Sequence, residues 1–306
     1  MKRRSSFSQE SGRHQFQRRV FCALDDDLAA GRPVGPLAGV PLGIKDIVPT
    51  AGIRTTYGSP LYADYVPMHD ALHVQRLKAA GAIVVGKTNT PEFAAGANTF
   101  NAVFGATRNP WNTALSASGS TGGGAAALAA GMIALSDGTD LGGSLRTPAA
   151  FCGVVGLRPS VGLVPRDPTA SPWQTLSVAG PMARTVADAA LMLQALAGPH
   201  PLSVFAAPVE GRDFVAAARA GLRSDLRVAY CPDLPRIGVD AEVERLCRAA
   251  AFDLKGAVAL VEEIDLDLSN ARPAFLQLRG QFMVDSHLDK LRSEEHTSEL
   301  QSRLHL

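Results

Sequence analysis

The chain has 306 residues, 46% hydrophobic and 19% charged, a balance that suits one large soluble domain or two modest ones. Lysine plus arginine number 30 against 29 acidic residues, so the net charge of +1 gives no reason to expect nucleic acid as a partner. The longest nearly apolar run, Ala125 to Leu135, is far short of the roughly 20 residues of a membrane span. The basic Lys2, Arg3 and Arg4 precede polar residues rather than the apolar core of a signal peptide. Cys22, Cys152, Cys231 and Cys247 have no metal-ligand spacing and read as free thiols of a cytoplasmic protein.

In chain order, GVPLGIKDIV (39–48) reads as a strand and DALHVQRLKAAG (70–81) as an amphipathic helix closed by glycine. His69 and His73 stand four apart, but Asp70, Ala71 and Leu72 between them lack the glutamate of a zinc-protease H-E-x-x-H. Both read as exposed histidines near a helix start. GAIVVGKT (81–88) is a literal match to the phosphate-binding pattern G-x-x-x-x-G-K-[ST]. Its spacer, however, is Ala82 followed by the β-branched Ile83, Val84 and Val85, which favour a buried strand over an anion-binding loop. Pro91 then disfavours helix at Thr90, so the segment reads as a strand ending in a Gly-Lys turn.

GGGAAALAAGM (122–132) reads as a helix of small residues, IALSDG (133–138) as a strand, and TVADAALMLQALAG (185–198) as a helix with a glycine stop. LRVAYC (226–231) and AVALVEEI (257–264) read as strands around a helix at 240–254. The glycine- and proline-rich stretches 31–43 and 156–181 read as loops. There is no internal repeat, and the alternation of strands and helices predicts an α/β layer fold with a central sheet.

Two glycine-serine clusters carry the chemistry: SASGSTGGGAAALAAG (116–131) and GTDLGGSLRTPAAFCGVVGLRPS (138–160). Glycine permits close backbone approach and positive φ, which serves oxyanion sites and plain turns alike. The G-x-S-x-G nucleophile elbow is absent, since Ser118 stands where that motif needs glycine and Arg146 follows Ser144 by two. No histidine lies near either cluster, so a serine nucleophile here would need another base, for which lysine is the usual substitute. Lys45 stands inside the apolar run Val40-Pro41-Leu42-Gly43-Ile44. Burial there would lower its pKa and make it a base, while pairing with a carboxylate would make it structural.

Taken together, GVPLGIKD, GKTNTPEFA, both clusters and the following GPMARTVAD resemble the amidase signature family, most densely from Gly35 to Gly198. The resemblance implies an α/β/α sandwich around a central mixed sheet, as a single domain over 1–291, that hydrolyses a small-molecule carboxamide to carboxylate and ammonia or amine. It implies neither metal nor cofactor and leaves room for a homodimer of the intact protein. It places a Ser–cis-Ser–Lys triad on Ser144 as nucleophile, Ser120 as the bridging serine whose preceding peptide bond is cis, and Lys45 as base. Backbone N–H groups of Leu141, Gly142, Gly143 and Ser144 would hold the oxyanion, with Thr121, Asp140 and Arg146 in support. An Asp140–Arg146 loop salt bridge is an equally good reading of the last two. GKTNTPEF is a strand and turn in this family, binding no nucleotide. Ser118 replaces a glycine of the family pattern, which implies strain if positive φ is needed there, and Leu141 replaces a common threonine.

The family implies two further readings: the A subunit of the tRNA-dependent glutamine amidotransferase, with partner subunits, or a catalytically dead, C-terminally truncated fragment. RSEEHTSELQS (292–302) shares no pattern with what precedes it and resembles the in-frame translation of a sequencing-library adapter. On that reading 292–306 is a non-native tail, expected to be exposed, and the fold is incomplete at its C-terminus.

Overall fold

The computed structural model describes residues 22, 24–167, 169, 171–233 and 238–292, with side chains to 286. The basic Lys2, Arg3 and Arg4 and the tail beyond Arg292 fall outside these residues. Two compact units divide the chain, Met1–Ala218 and Arg219–Leu306.

The first unit is built on a five-stranded mixed sheet. Strands β1 (Pro41–Lys45), β2 (Ile83–Thr88) and β7 (Leu135–Asp140) run parallel, and β9 (Val178–Ala183) is antiparallel to both β7 and β8 (Val155–Gly156). Their order across the sheet is β2-β1-β7-β9-β8. Two short antiparallel pairs, β3 (Phe100–Asn101) with β4 (Gly105–Ala106) and β5 (Arg108–Asn109) with β6 (Asn112–Ser116), lie in sequence between β2 and the glycine-rich helix.

Alternation along the strands divides the core between two faces. Leu42 and Ile44 of β1, Val84 of β2 and Leu135 of β7 pack with Val74 and Leu77 of α1 (Leu72–Ala79) and with Met192, Leu193 and Leu196 of α4 (Val186–Leu196). Ile133 and Met182 pack on the other side with Ala125 and Leu128 of α2 (Gly122–Ala129) and with Ala149 and Cys152 of α3 (Arg146–Cys152). The result is the three-layer α/β/α arrangement around a mixed sheet.

The glycine run that opens α2 is explained by close approach to three neighbours. A Cβ on Gly122 would sit 2.4 Å from Thr99 Oγ1, one on Gly123 2.2 Å from Asn89 N, and one on Gly124 2.4 Å from Ser136 Oγ. Only glycine lets the helix start lie this near the sheet.

The second unit pairs β10 (Arg227–Tyr230) parallel with β11 (Leu260–Glu263), joined through α5 (Ala241–Phe252), as the sequence pattern predicts. Asp240 caps α5 by accepting from the N–H groups of Glu242 and Val243. A long helix, α6 (Ala271–Arg292), follows. No helix among the described residues is long and apolar enough to cross a membrane.

Three readings from the sequence need correction. The loop assigned to 156–181 gives up its last residues to β9, a fully buried central strand despite Pro181. Pro181 is tolerated because its carbonyl still accepts from Leu157 N–H at 3.1 Å, so the missing donor is the only loss. His73 is buried, not exposed, with Nε2 3.1 Å from Asp137 Oδ2, while His69 is exposed as expected. The glycine-lysine octamer does not end in a turn: Lys87 belongs to β2, and its amine donates to Val48 O and, at 2.9 Å, to Thr50 Oγ1.

Gly123→Ala sets two backbones against each other, since the new Cβ would also lie 2.6 Å from Asn89 O. It is expected to lower stability in urea unfolding by about 1–3 kcal/mol. Gly86→Ala, whose Cβ meets nothing within 4 Å, serves as a near-neutral control. Equal midpoints for the two variants would contradict the packing described for α2.

Candidate active site

Strand alternation fixes the first candidate residue. With Leu42 and Ile44 committed to the α1 face, Gly43 and Lys45 turn towards α2. Lys45 is fully buried, and its Nζ lies 2.7 Å from Ser120 Oγ, 2.9 Å from Thr121 Oγ1 and 3.0 Å from Thr139 Oγ1. Loss of hydration outweighs the attraction of Asp137 and Asp140, and the lysine falls from an ordinary 10.5 to about 7.

The three contacts match a neutral amine, which has two N–H donors and one lone pair. Thr121 Oγ1 directs its own hydrogen at Thr139 O (3.4 Å), so it must accept from Lys45. When the amine is neutral and its second N–H is directed at Thr139, the lone pair is left for the Ser120 hydroxyl. Thr139 is a member of this cluster that sequence reasoning misses. Its hydroxyl sits one residue before Asp140 in the second glycine cluster, a position that only the register of β7 reveals as close to Lys45.

Ser120 and Thr121 sit in the turn before α2, and the Gly119–Ser120 peptide bond is cis. Ser118, two residues earlier, has φ of 59°, the left-handed conformation that the replaced glycine would accept freely. The cost for a side chain is of order 1–2 kcal/mol. Hydrogen bonds offset part of it, with Thr99 N–H and Thr99 Oγ1 donating to Ser118 O at 3.1 and 2.8 Å.

Ser144 lies at the start of α3, partly accessible, and its carbonyl accepts from Thr121 N–H at 3.3 Å. That main-chain bond brings the two serine turns together. Among the described residues no hydrogen bond joins the Ser144 hydroxyl to Ser120, so the Lys45–Ser120 link is formed and the Ser120–Ser144 link is open.

Asp140, fully buried at the end of β7, organises the turn that carries Ser144. It accepts from Gly143 N–H (2.8 Å) and Leu145 N–H (3.1 Å), and bidentately from Arg146 Nε and Nη2, both at 3.0 Å. Arg158 Nη1 reaches Asp140 Oδ1 at 3.2 Å and the Asp140 carbonyl, while its Nη2 donates to Leu176 O. Burial pushes the carboxyl up, but the Arg146 bonds and the two N–H groups prevail and hold it at about 2. Arg158, which sequence reasoning also misses, comes from the GLRPS end of the second cluster.

Of the four N–H groups expected to face an oxyanion, that of Gly143 is engaged by the Asp140 carboxylate. Gly143 is needed for another reason: its φ of 115° lies where a side chain is strained. Arg166, Pro172 and Gln174 of the loop after β8 line a partly open pocket whose wall includes none of Lys45, Ser120 and Ser144.

A sequence model of the Amidase family matches residues 18–298. The chain is 44% identical over 246 residues to the glutamyl-tRNA(Gln) amidotransferase A subunit from Carboxydothermus hydrogenoformans, covering 79% of this chain and 50% of that protein. It is 45% identical over 244 residues to the protein of the same name from Roseiflexus sp., covering 80% and 50%. The chain thus spans about half the length of the curated relatives it matches. Among solved structures, a bacterial aryl acylamidase of the amidase signature enzymes superposes with a TM-score of 0.84 at 29% identity, over 94% of this chain and 62% of that one. The native peptide amidase of Stenotrophomonas maltophilia gives 0.78 at 35% identity, over 89% and 56%. By this match over most of its length, and by the fold it shares with these enzymes, the chain belongs to the amidase signature family.

Proposed function

We propose that this chain carries the catalytic machinery of an amidase that hydrolyses a carboxamide through an acyl-enzyme on Ser144. Ser144 Oγ attacks the amide carbonyl carbon as its proton passes to Ser120, whose own hydroxyl proton passes to the lone pair of Lys45 Nζ. The N–H groups of Leu141, Gly142 and Ser144 face the developing oxyanion. Collapse breaks the C–N bond, and the proton returns along the same path to the leaving nitrogen. Water then attacks the ester by the reverse relay, releasing the carboxylate and restoring Ser144. The observation that carries this reading is the fully buried Lys45, lowered to about 7, with its Nζ 2.7 Å from Ser120 Oγ.

A second reading has its own support in the name shared by relatives that are 44% and 45% identical. On it the amide is the side chain of glutamine, the ammonia goes to a misacylated tRNA, and partner subunits are required. Because the chain spans half of those relatives, a fragment without turnover is the alternative to both.

A panel of aliphatic, aryl and glutamine amides, with hydroxylamine to trap the acyl-enzyme as a hydroxamate, separates these readings. Turnover of glutamine alone, together with copurifying subunits, would favour the amidotransferase; no hydroxamate from any amide would leave the fragment reading.

Ser144→Ala and Lys45→Ala are each expected to lower kcat/KM by about 10³-fold or more. Retained acylation in Lys45→Ala would show that the base is another group.

The relay also fixes the sign of the pH dependence. Neutral Lys45 is the active form, so kcat/KM should rise with pH through about 7 and fall away below it. An acidic limb near 10.5, the ordinary lysine value, would be incompatible with a desolvated base.

A further inference from the structure

The relay makes no use of Asp137 or His73, yet both are buried within the sheet, at 1% and 6% exposure. Their contacts explain why. The parallel ladder between β1 and β7 pairs Leu42 with Leu135 and Gly43 with Ser136. Further along, Lys45 is held to β7 by a side chain: its backbone N–H donates to Asp137 Oδ1 at 2.6 Å. The other carboxylate oxygen lies 3.1 Å from His73 Nε2, on α1. His73 Nδ1 is buried without a partner among the described residues, which assigns the ring proton to Nε2, where Asp137 accepts it.

We infer that Asp137, oriented by His73, is a positioning residue for Lys45, anchoring the end of β1 and setting a negative charge across the sheet from the buried amine. The inference rests on Lys45 being the base. The support reaches Lys45 from the α1 face of the sheet, opposite the face that holds Ser120 and Thr121. Burial lowers the pH at which the base becomes neutral, and Asp137 raises it part of the way back, because an anion favours the ammonium form.

The charged groups around the pair come from five places. Asp137 and Asp140 of β7 act on Lys45, and His73 of α1 meets Asp137. Lys87 of β2 feels Asp137, and also Asp46 of the turn after β1 and Asp70 before α1. With Asp137 neutralised, Asp140 is the anion that still acts on Lys45.

The test reads Lys45 directly, by NMR titration of protein labelled with ¹³Cε-lysine, the resonance being assigned by its loss in Lys45→Met. Asp137→Asn keeps an acceptor for the Lys45 N–H but removes the charge. It should move the Lys45 midpoint down by about one pH unit, with the acidic limb of kcat/KM following. His73→Leu removes the buried donor that orients the carboxylate, loosens its hold on β1 and should shift the midpoint the same way. His73→Gln, which restores an N–H donor, should return it towards the wild-type value.

An unmoved midpoint in Asp137→Asn overturns the inference. If that variant does not fold, equal midpoints in His73→Leu and His73→Gln overturn it instead. A midpoint that shifts as expected in a protein that turns over no amide supports the positioning role, and counts only against the amidase reading.

Discussion

A lysine with no contact with solvent is the constraint around which the first unit is arranged. Removing an ammonium from water is costly enough that the group gives up its proton unless it is surrounded by compensating charge. Here compensation is partial. Asp137 and Asp140 pull Lys45 back towards the charged form without restoring it, which leaves an amine poised near neutrality. Its Nζ meets three hydroxyl oxygens, of Ser120, Thr121 and Thr139, and once it is neutral it holds all three only if one of them donates. The sheet order follows from the same need, since β1 must be an interior strand for Lys45 to be enclosed from both sides.

Asp140 solves a different problem with the same chemistry. The turn from β7 into α3 must bend through a strained glycine while leaving N–H groups unspent near Ser144. One carboxylate gathers Gly143, Leu145, Arg146 and Arg158 and so defines the turn from the inside. The two readings of Asp140 and Arg146, as support for the site and as a loop salt bridge, describe a single interaction.

The sequence makes the architecture legible wherever periodicity and punctuation agree. The strands around Lys45 and Lys87, the helix at 72–79 and the strand–helix–strand order of the second unit all carry clear patterns. It fails where tertiary context overrides local preference. β9 reads VAGPMA, a stretch whose glycine and proline argue for a loop, and only pairing on both edges makes it a strand. The hairpins from β3 to β6 are too short to register as periodic. A histidine in an amphipathic stretch reads as surface, and nothing local to His73 announces Asp137, 64 positions away. The candidate site residues are legible only jointly, because the glycine clusters and a lysine in an apolar strand each have a plain structural reading until they are taken together. Thr139 and Arg158 are not legible even then, since their roles depend on register rather than on residue type.

The bond from Thr121 N–H to Ser144 O joins the two serine turns through the main chain alone. Spacing between the turns is therefore independent of what either turn displays. A thiol at position 144, or a different hydroxyl at 121, would inherit the same separation and approach, so the chemistry at this place is free to drift while the frame stays put. Natural or engineered variation here would change what the site attacks, and how fast, before it changed how the chain folds.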